Sequence, residues 1–213
     1  MNVVDRFICE LDNGLRTVFA PAHAARVLPM ATAPAHTRTD DPSAPITRVA
    51  SIRLMRVNHT GEVCAQALYQ GQALVAREPA TRALLDAAAN EERDHLSWCA
   101  QRLNALGGAT SMANPVFYAG SFALGVASGL MGDKWSMGFL VETERQVEAH
   151  LEGHLGQIPA DDLASRAIIE AMQADEIKHA QSGEAHGGVP LPGSVKAFMR
   201  AGSRVMTTTS YWI

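Results

Sequence analysis

The sequence predicts an all-α protein organised as a four-helix bundle, and three observations point that way. Aromatic residues make up only 6% of the chain, while Ala, Leu, Met and Gln are plentiful, a mix that favours helix over sheet. From Thr47 onward, apolar residues recur at three- and four-residue steps over long stretches. Proline and glycine interrupt those stretches at Pro79, Gly107–Gly108, Pro159 and Gly187–Gly188, where helices are expected to start or stop.

The length of 213 residues allows one domain of about 150 residues plus tails. Residues 1–46 are poorly patterned and read as an N-terminal arm. The part from Pro21 to Pro45, rich in Ala, Pro and Thr, is expected to be loosely packed. His23 and His36 lie in it without an assigned role. The patterned domain, 47–213, opens with a helix from Thr47 to about Arg77. A second helix runs from Pro79 to about Leu106. Residues 113–131 carry no charge, and Gly120, Gly125 and Gly129 lie among their apolar side chains. Asp133, as N-cap, opens a third long helix to about Gln157. A fourth follows Asp161 or Asp162 and ends near His186. A short C-terminal amphipathic helix starts near Ser194. Two hairpins joined by an apolar crossover segment make a ferritin-like four-helix bundle, with one long connection.

Charge and cysteine content narrow the function classes. A net charge of −4 argues against a nucleic-acid-binding surface. Cys9, Cys64 and Cys99 are odd in number and contain no Cys-x-x-Cys pair, so a reducing compartment is expected. Residues 1–20 lack an apolar signal region and carry Asp5, Glu10 and Asp12, which fits neither a secretory nor a mitochondrial leader. A bacterial protein on the cytosolic side is the expectation.

The chemistry lies in two Glu-x-x-His segments, Glu92–His95 and Glu176–His179. Residues three apart share a helix face, so each pair aims a carboxylate and an imidazole at one point. A two-metal carboxylate site needs this twice, with one more Glu from each of the other two helices. Facing residues of an antiparallel hairpin are equidistant from its turn. Glu62 and the 92/95 pair are centred on residues 77–78.5, at the expected turn. Glu144 and the 176/179 pair are centred on 160–161.5, also at the expected turn. Glu142 passes the same test but lies about 200° around the helix from Glu144. Leu140, Val147 and Leu151 share the side of Glu144, so Glu144 is preferred. The candidate ligands fall on stripes otherwise read as core, such as Ile52, Met55, His59, Glu62, Gln66, Tyr69 and Ala73.

For any one of these residues, a surface glutamate or a satisfied histidine is the ordinary explanation. Six on one template is another matter, because an ionised carboxylate on a buried stripe is costly unless compensated. Two ferrous ions would balance four glutamates. Many carboxylates with one imidazole per metal suit iron or manganese better than zinc or calcium. Glu92 and Glu176 are the expected bridges, with His95 and Glu62 completing one iron and His179 and Glu144 the other. Glu91 and Asp175 each precede a histidine by four residues. They are candidates to accept its second ring N–H across the bundle, with a solvated helix face as the competing reading for Glu91. Tyr69 is either a hydrogen-bond donor at the site or, more simply, packing. His150 and His154 are read as structural or supporting.

The segment Arg56-Val57-Asn58-His59-Thr60-Gly61-Glu62, the two Glu-x-x-His pairs, the stretch from Thr143 to His150 and the segment Val205-Met206-Thr207-Thr208-Thr209 together resemble the demethoxyubiquinone hydroxylase family. The resemblance runs from about residue 47 to the end, and generic ferritins and rubrerythrins lack these flanking words. It implies a di-iron monooxygenase of ubiquinone biosynthesis that uses dioxygen to hydroxylate the ring of a polyprenylated demethoxy-benzoquinol. The six ligands carry over position by position. The competing reading is an iron-storage or peroxide-scavenging ferritin-like protein.

A polyprenylated substrate lives in lipid, which implies peripheral contact with the cytoplasmic face of the bacterial inner membrane. It also leaves room for partners in a biosynthetic complex or a homo-oligomer. Residues 113–131 would span about 28 Å as a helix, short of the roughly 30 Å hydrocarbon core, so an interfacial segment is expected, with a buried crossover as the alternative. Lys196, Arg200 and Arg204 form a basic stripe beside apolar residues that suits an anionic surface. Tyr211 and Trp212 suit its interface.

Overall fold

The computed structural model describes residues 3–30 and 45–213; His36 lies outside them. Seven helices form among the described residues: α1 Val3–Phe19, α2 Pro45–Val75, α3 Pro79–Ala105, α4 Asn114–Leu130, α5 Asp133–Leu155, α6 Leu163–Ala185 and α7 Gly193–Trp212. The bundle consists of two hairpins, α2–α3 and α5–α6, packed together through α3 against α6 and α2 against α5. The apolar crossover is α4, which lies on α2.

Local chemistry sets the boundaries. Pro79 opens α3 after Glu78 in extended conformation, since its fixed φ suits a first helical residue and its missing N–H costs nothing there. Asp162 caps α6 by accepting from the Ser165 N–H at 3.0 Å, and it holds Arg102 of α3 at 2.7 Å. Asp133 is not the N-cap of α5. Gly132 takes that place with φ +110°, leaving the Asp133 carboxylate to accept from the Arg77 and Glu78 N–H groups at 3.1 and 2.7 Å. This ties the α2–α3 turn to the end of the crossover.

Two expectations need amending. The poorly patterned stretch before residue 47 contains α1, which packs on α2 and α4. Its Ile8, Leu11, Leu15 and Phe19 stay exposed, while Gly14 sits against Tyr118 and Thr17 donates to Gln66 at 2.6 Å. The C-terminal helix, expected to be short, runs for 20 residues and packs on α2 and α5.

The crossover turns out two-sided. A Cβ on Gly125 would lie 2.2 Å from the Leu68 carbonyl oxygen, and one on Gly71 would lie 2.4 Å from that of Phe122. Only glycine lets the α2 and α4 backbones approach so closely. The far side of α4 shows Val116, Leu124 and Leu130 to the surface. Among the described residues, no helix is long and apolar enough to cross a membrane.

Two apolar clusters fill the bundle. One contains Leu68, Leu85, Met137 and Leu140. The other contains Met55, Trp98, Leu103, Leu151, Ile169 and Met172. The candidate ligands fall between the two clusters, a polar layer at mid-height.

Candidate metal centre

The structure gathers all six candidate ligands into that layer. Glu62, Glu92, His95 and Glu176 form one group and Glu92, Glu144, Glu176 and His179 a second, with the ligand atoms of each group within 4.8 Å of one another. Glu62 comes from α2, Glu92 and His95 from α3, Glu144 from α5, and Glu176 and His179 from α6. All six are buried.

The shared members are Glu92 and Glu176, and their two oxygens divide between the histidines. Glu92 turns Oε2 to His95 Nδ1 at 3.0 Å and Oε1 to His179 Nδ1 at 3.4 Å. Glu176 turns Oε1 to His95 Nδ1 and Oε2 to His179 Nδ1, each at 3.4 Å. Glu62 stands 3.5 Å from His95 Nδ1 and Glu144 3.4 Å from His179 Nδ1.

A cation fits this donor set. Among the described residues, Glu92 Oε1, Glu144 Oε2, both Glu176 oxygens and His179 Nδ1 are buried without a hydrogen-bond partner, and such orphaned groups are costly. The protonation pattern tells the same story. Burial and the neighbouring Glu92 push the Glu62 carboxyl well up. Burial and the neighbouring Glu176 do the same to Glu144. Burial works against a charged His95, but the carboxylates around it, Glu92 first, outweigh this and hold its pKa well above the ordinary range. These directions express the crowding of buried carboxylates at one point, negative charge that bound cations would offset.

Each imidazole is oriented from behind by an acid of the opposite hairpin. His95 Nε2 meets Asp175 Oδ2 at 3.2 Å, and His179 Nε2 meets Glu91 Oε2 at 3.0 Å. With Nε2 so engaged, Nδ1 points into the cluster, the arrangement that fixes a ligating histidine. Tyr69 joins the cluster as a donor to Glu144 Oε1, so of its two readings the hydrogen-bonded one describes its hydroxyl. Glu142 lies elsewhere. It pairs with Lys196 at 2.7 Å and accepts from Gln146 at 2.8 Å, and these partners outweigh burial to hold its carboxyl below the usual range.

The other histidines are built differently. His154 Nδ1 meets Asn58 Oδ1 at 2.7 Å, and its ring stacks obliquely on His150 at 3.9 Å. Burial lowers the pKa of His154 to about 3 and that of His59 to about 4. Among the described residues, no carboxylate offsets that burial for either.

A cavity of about 490 Å3 runs between α2, α4, α5 and α7. Glu62 and Leu68 line its inner part, and the exposed Val116, Phe198 and Val205 lie along its outer part. A second cleft of similar volume, between α3 and α6, borders Glu91, His179 and the exposed His186. Sequence periodicity shows neither space, because both are defined by helices far apart in the chain.

A family model described as "Ubiquinone biosynthesis protein COQ7" matches residues 50–210. The chain belongs to that family. Members of the COQ7 family similar to it include a protein named 3-demethoxyubiquinol 3-hydroxylase from Ralstonia pickettii (strain 12J), 52% identical over 217 aligned positions that cover 99% of this chain and 100% of the relative. A protein of the same name from Polynucleobacter necessarius subsp. necessarius (strain STIR1) is 51% identical over 213 positions, covering the whole of both chains. Another, from Nitrosomonas eutropha (strain DSM 101675 / C91 / Nm57), is 50% identical over 210 positions, 99% of each.

Proposed function

We propose that this chain is a di-iron monooxygenase that hydroxylates the ring of a polyprenylated demethoxy-benzoquinol in ubiquinone biosynthesis, with dioxygen as co-substrate. One observation carries this reading. A buried carboxylate–imidazole cluster meets a long apolar cavity at a shared residue, Glu62. The names of the relatives, matched over 99–100% of their length, support the substrate and the reaction. An iron-storage protein has no use for such a cavity beside its metal site.

The donor set suits two ferrous ions. Glu92 and Glu176 would bridge them, a reading supported by the division of their oxygens between the two histidines. Glu62 and His95 would complete one ion, and Glu144 and His179 the other. Iron held there would supply Lewis acidity and relay to dioxygen the two electrons that a reductant provides, one oxygen atom going to the ring and the other to water. The chain's own residues do the rest. Asp175 and Glu91 keep each Nδ1 lone pair facing inward. Tyr69 holds a proton against Glu144. The cavity walls strip water from the quinol ring and seat it next to Glu62, leaving the prenyl chain along α4 and α7.

The exposed apolar residues on α4 and α7 support peripheral contact with lipid on the cytoplasmic face of the inner membrane. Arg200 and Arg204 are exposed beside them, while Lys196 is already committed to Glu142. The test is direct. Iron-loaded protein is given a demethoxyquinol and dioxygen, and products are analysed by mass. One oxygen atom added to the ring is expected; no hydroxylated product under any reductant overturns the reading.

A further inference from the structure

The Glu-x-x-His motif predicts a carboxylate behind each histidine. It does not predict that one of those carboxylates is held by the N-terminal arm. Residues 20–30 run along α3 outside the segment matched by the family model. Ser97 donates to the Ala22 carbonyl at 3.0 Å, and the Ala25 N–H donates to Asp94 Oδ1 at 2.6 Å. Arg26 then forks. Its Nε donates to Asp94 Oδ2 at 2.7 Å and its Nη1 to Asp175 Oδ2 at 2.6 Å. Its guanidinium also lies 4.7 Å from the centre of the Trp98 ring, which itself packs against His95 at 5.4 Å.

Asp175 Oδ2 is the atom that meets His95 Nε2. A single carboxylate oxygen therefore joins the arm to the imidazole. A segment that merely packed on the bundle would have no need to pin that atom. A planar guanidinium suits the task, because its fixed fork can hold two carboxylates at once. Lys178 also reaches Asp175, through Oδ1 at 2.9 Å. It is a flexible, mostly exposed side chain and does not fix the oxygen facing His95.

We propose that the arm completes the metal centre on the His95 side, with Arg26 a positioning residue that acts through Asp175. The inference rests on the reading of the cluster as a two-metal site. Removing Arg26 leaves His95 able to turn, and so weakens and alters one of the two ions. His179, which would hold the other ion, is oriented by Glu91 instead, so that ion is left alone.

The test is an anaerobic cobalt(II) titration of the metal-free full chain, followed by visible absorption, with circular dichroism to confirm helix content. Wild type is expected to take two cobalt ions per chain. Arg26→Ala is expected to weaken one of them about tenfold, the lower end of the effect of losing a group behind a ligating histidine, and to shift that ion's absorption band. Arg26→Lys, which can still pair with a carboxylate, recovers part of the loss. In an Asp175→Asn background, Arg26→Ala adds less than a twofold further effect, since both changes act on one atom. Should Arg26→Ala lose helicity, Arg26→Gln carries the same test. Two tightly bound ions unaffected by Arg26 changes, two ions weakened equally, or effects that multiply with Asp175→Asn would overturn the positioning role and leave the metal site standing. Failure of the wild type to bind cobalt would overturn both.

Discussion

His95 and His179 occupy equivalent places in the Glu-x-x-His segments of α3 and α6, yet their surroundings differ. His95 is sealed. Its backing acid, Asp175, has a side chain only 6% exposed, is covered by Arg26, and is held well below the usual carboxylate range by His95, Lys178 and Arg26 despite its burial. His179 borders a cleft, and its backing acid, Glu91, has a side chain 47% exposed. One motif thus produces a closed half-site and an open one. The difference lies outside the motif, in what the tertiary structure lays over each acid. A buried carboxylate cannot be replaced by solvent, whereas water can take over the role of an exposed one.

The comparison breaks first at the residues common to both halves. Glu176 faces both imidazoles, so Glu176→Ala is expected to abolish stoichiometric iron loading, measured by metal analysis of the purified protein. Retained iron would contradict its role as a bridge.

The next effect separates the halves. Asp175→Asn is expected to lower metal affinity by about 10- to 100-fold, whereas Glu91→Gln, at the open site, should cost less than about tenfold because water can substitute. Equal losses in a competition titration with a chelator would show that sealing does not matter.

Within the open half, Tyr69→Phe removes the donor to a buried Glu144 oxygen and should destabilise the metal-free protein by about 1–3 kcal/mol. Urea unfolding measures this. No change would mean that the hydroxyl is dispensable.

The smallest expected effect concerns the histidines without carboxylate partners. His154 and His59 titrate near 3 and 4 in the folded chain and near 6.5 when unfolded. Below 6.5 the unfolded chain binds more protons, so each residue erodes stability as pH falls towards its folded value. Each should remove about 1 kcal/mol between pH 7 and pH 5.5. His154→Gln should remove its share of that slope. Urea melts at the two pH values would show otherwise if wild type and variant decline in parallel.

Much of the fold was legible because helix signals are local. The hairpin turns follow from Pro79 and Pro159, and the ends of α3 and α6 from the glycine pairs after them. Helix α1 carries the same signal, with Ile8, Leu11, Leu15 and Phe19 at three- and four-residue steps, but that stripe faces outward, so only the tertiary structure shows that the helix packs on α2 and α4 through its other side. The sequence places the start of α7 near Ser194 but does not set its length, which comes with packing on α2 and α5.

Within the centre, helical phase separated Glu144 from Glu142. The structure adds what occupies Glu142, a lysine 54 residues further along the chain. The crossed pairing of Glu91 with His179 and Asp175 with His95 was only one option for the sequence, since both acids also sit one turn from a histidine on their own helix.

The sequence by itself determined the four helices, their turns and the height at which Glu62, Glu92, His95, Glu144, Glu176 and His179 would meet. All of these follow from a 3.6-residue repeat and distances counted from a turn. Only the tertiary structure decided that Arg26 closes one half-site, that Glu91 leaves the other open, and that an apolar cavity reaches the cluster at Glu62. Those features depend on which distant segments come to lie side by side, and no short-range periodicity records that.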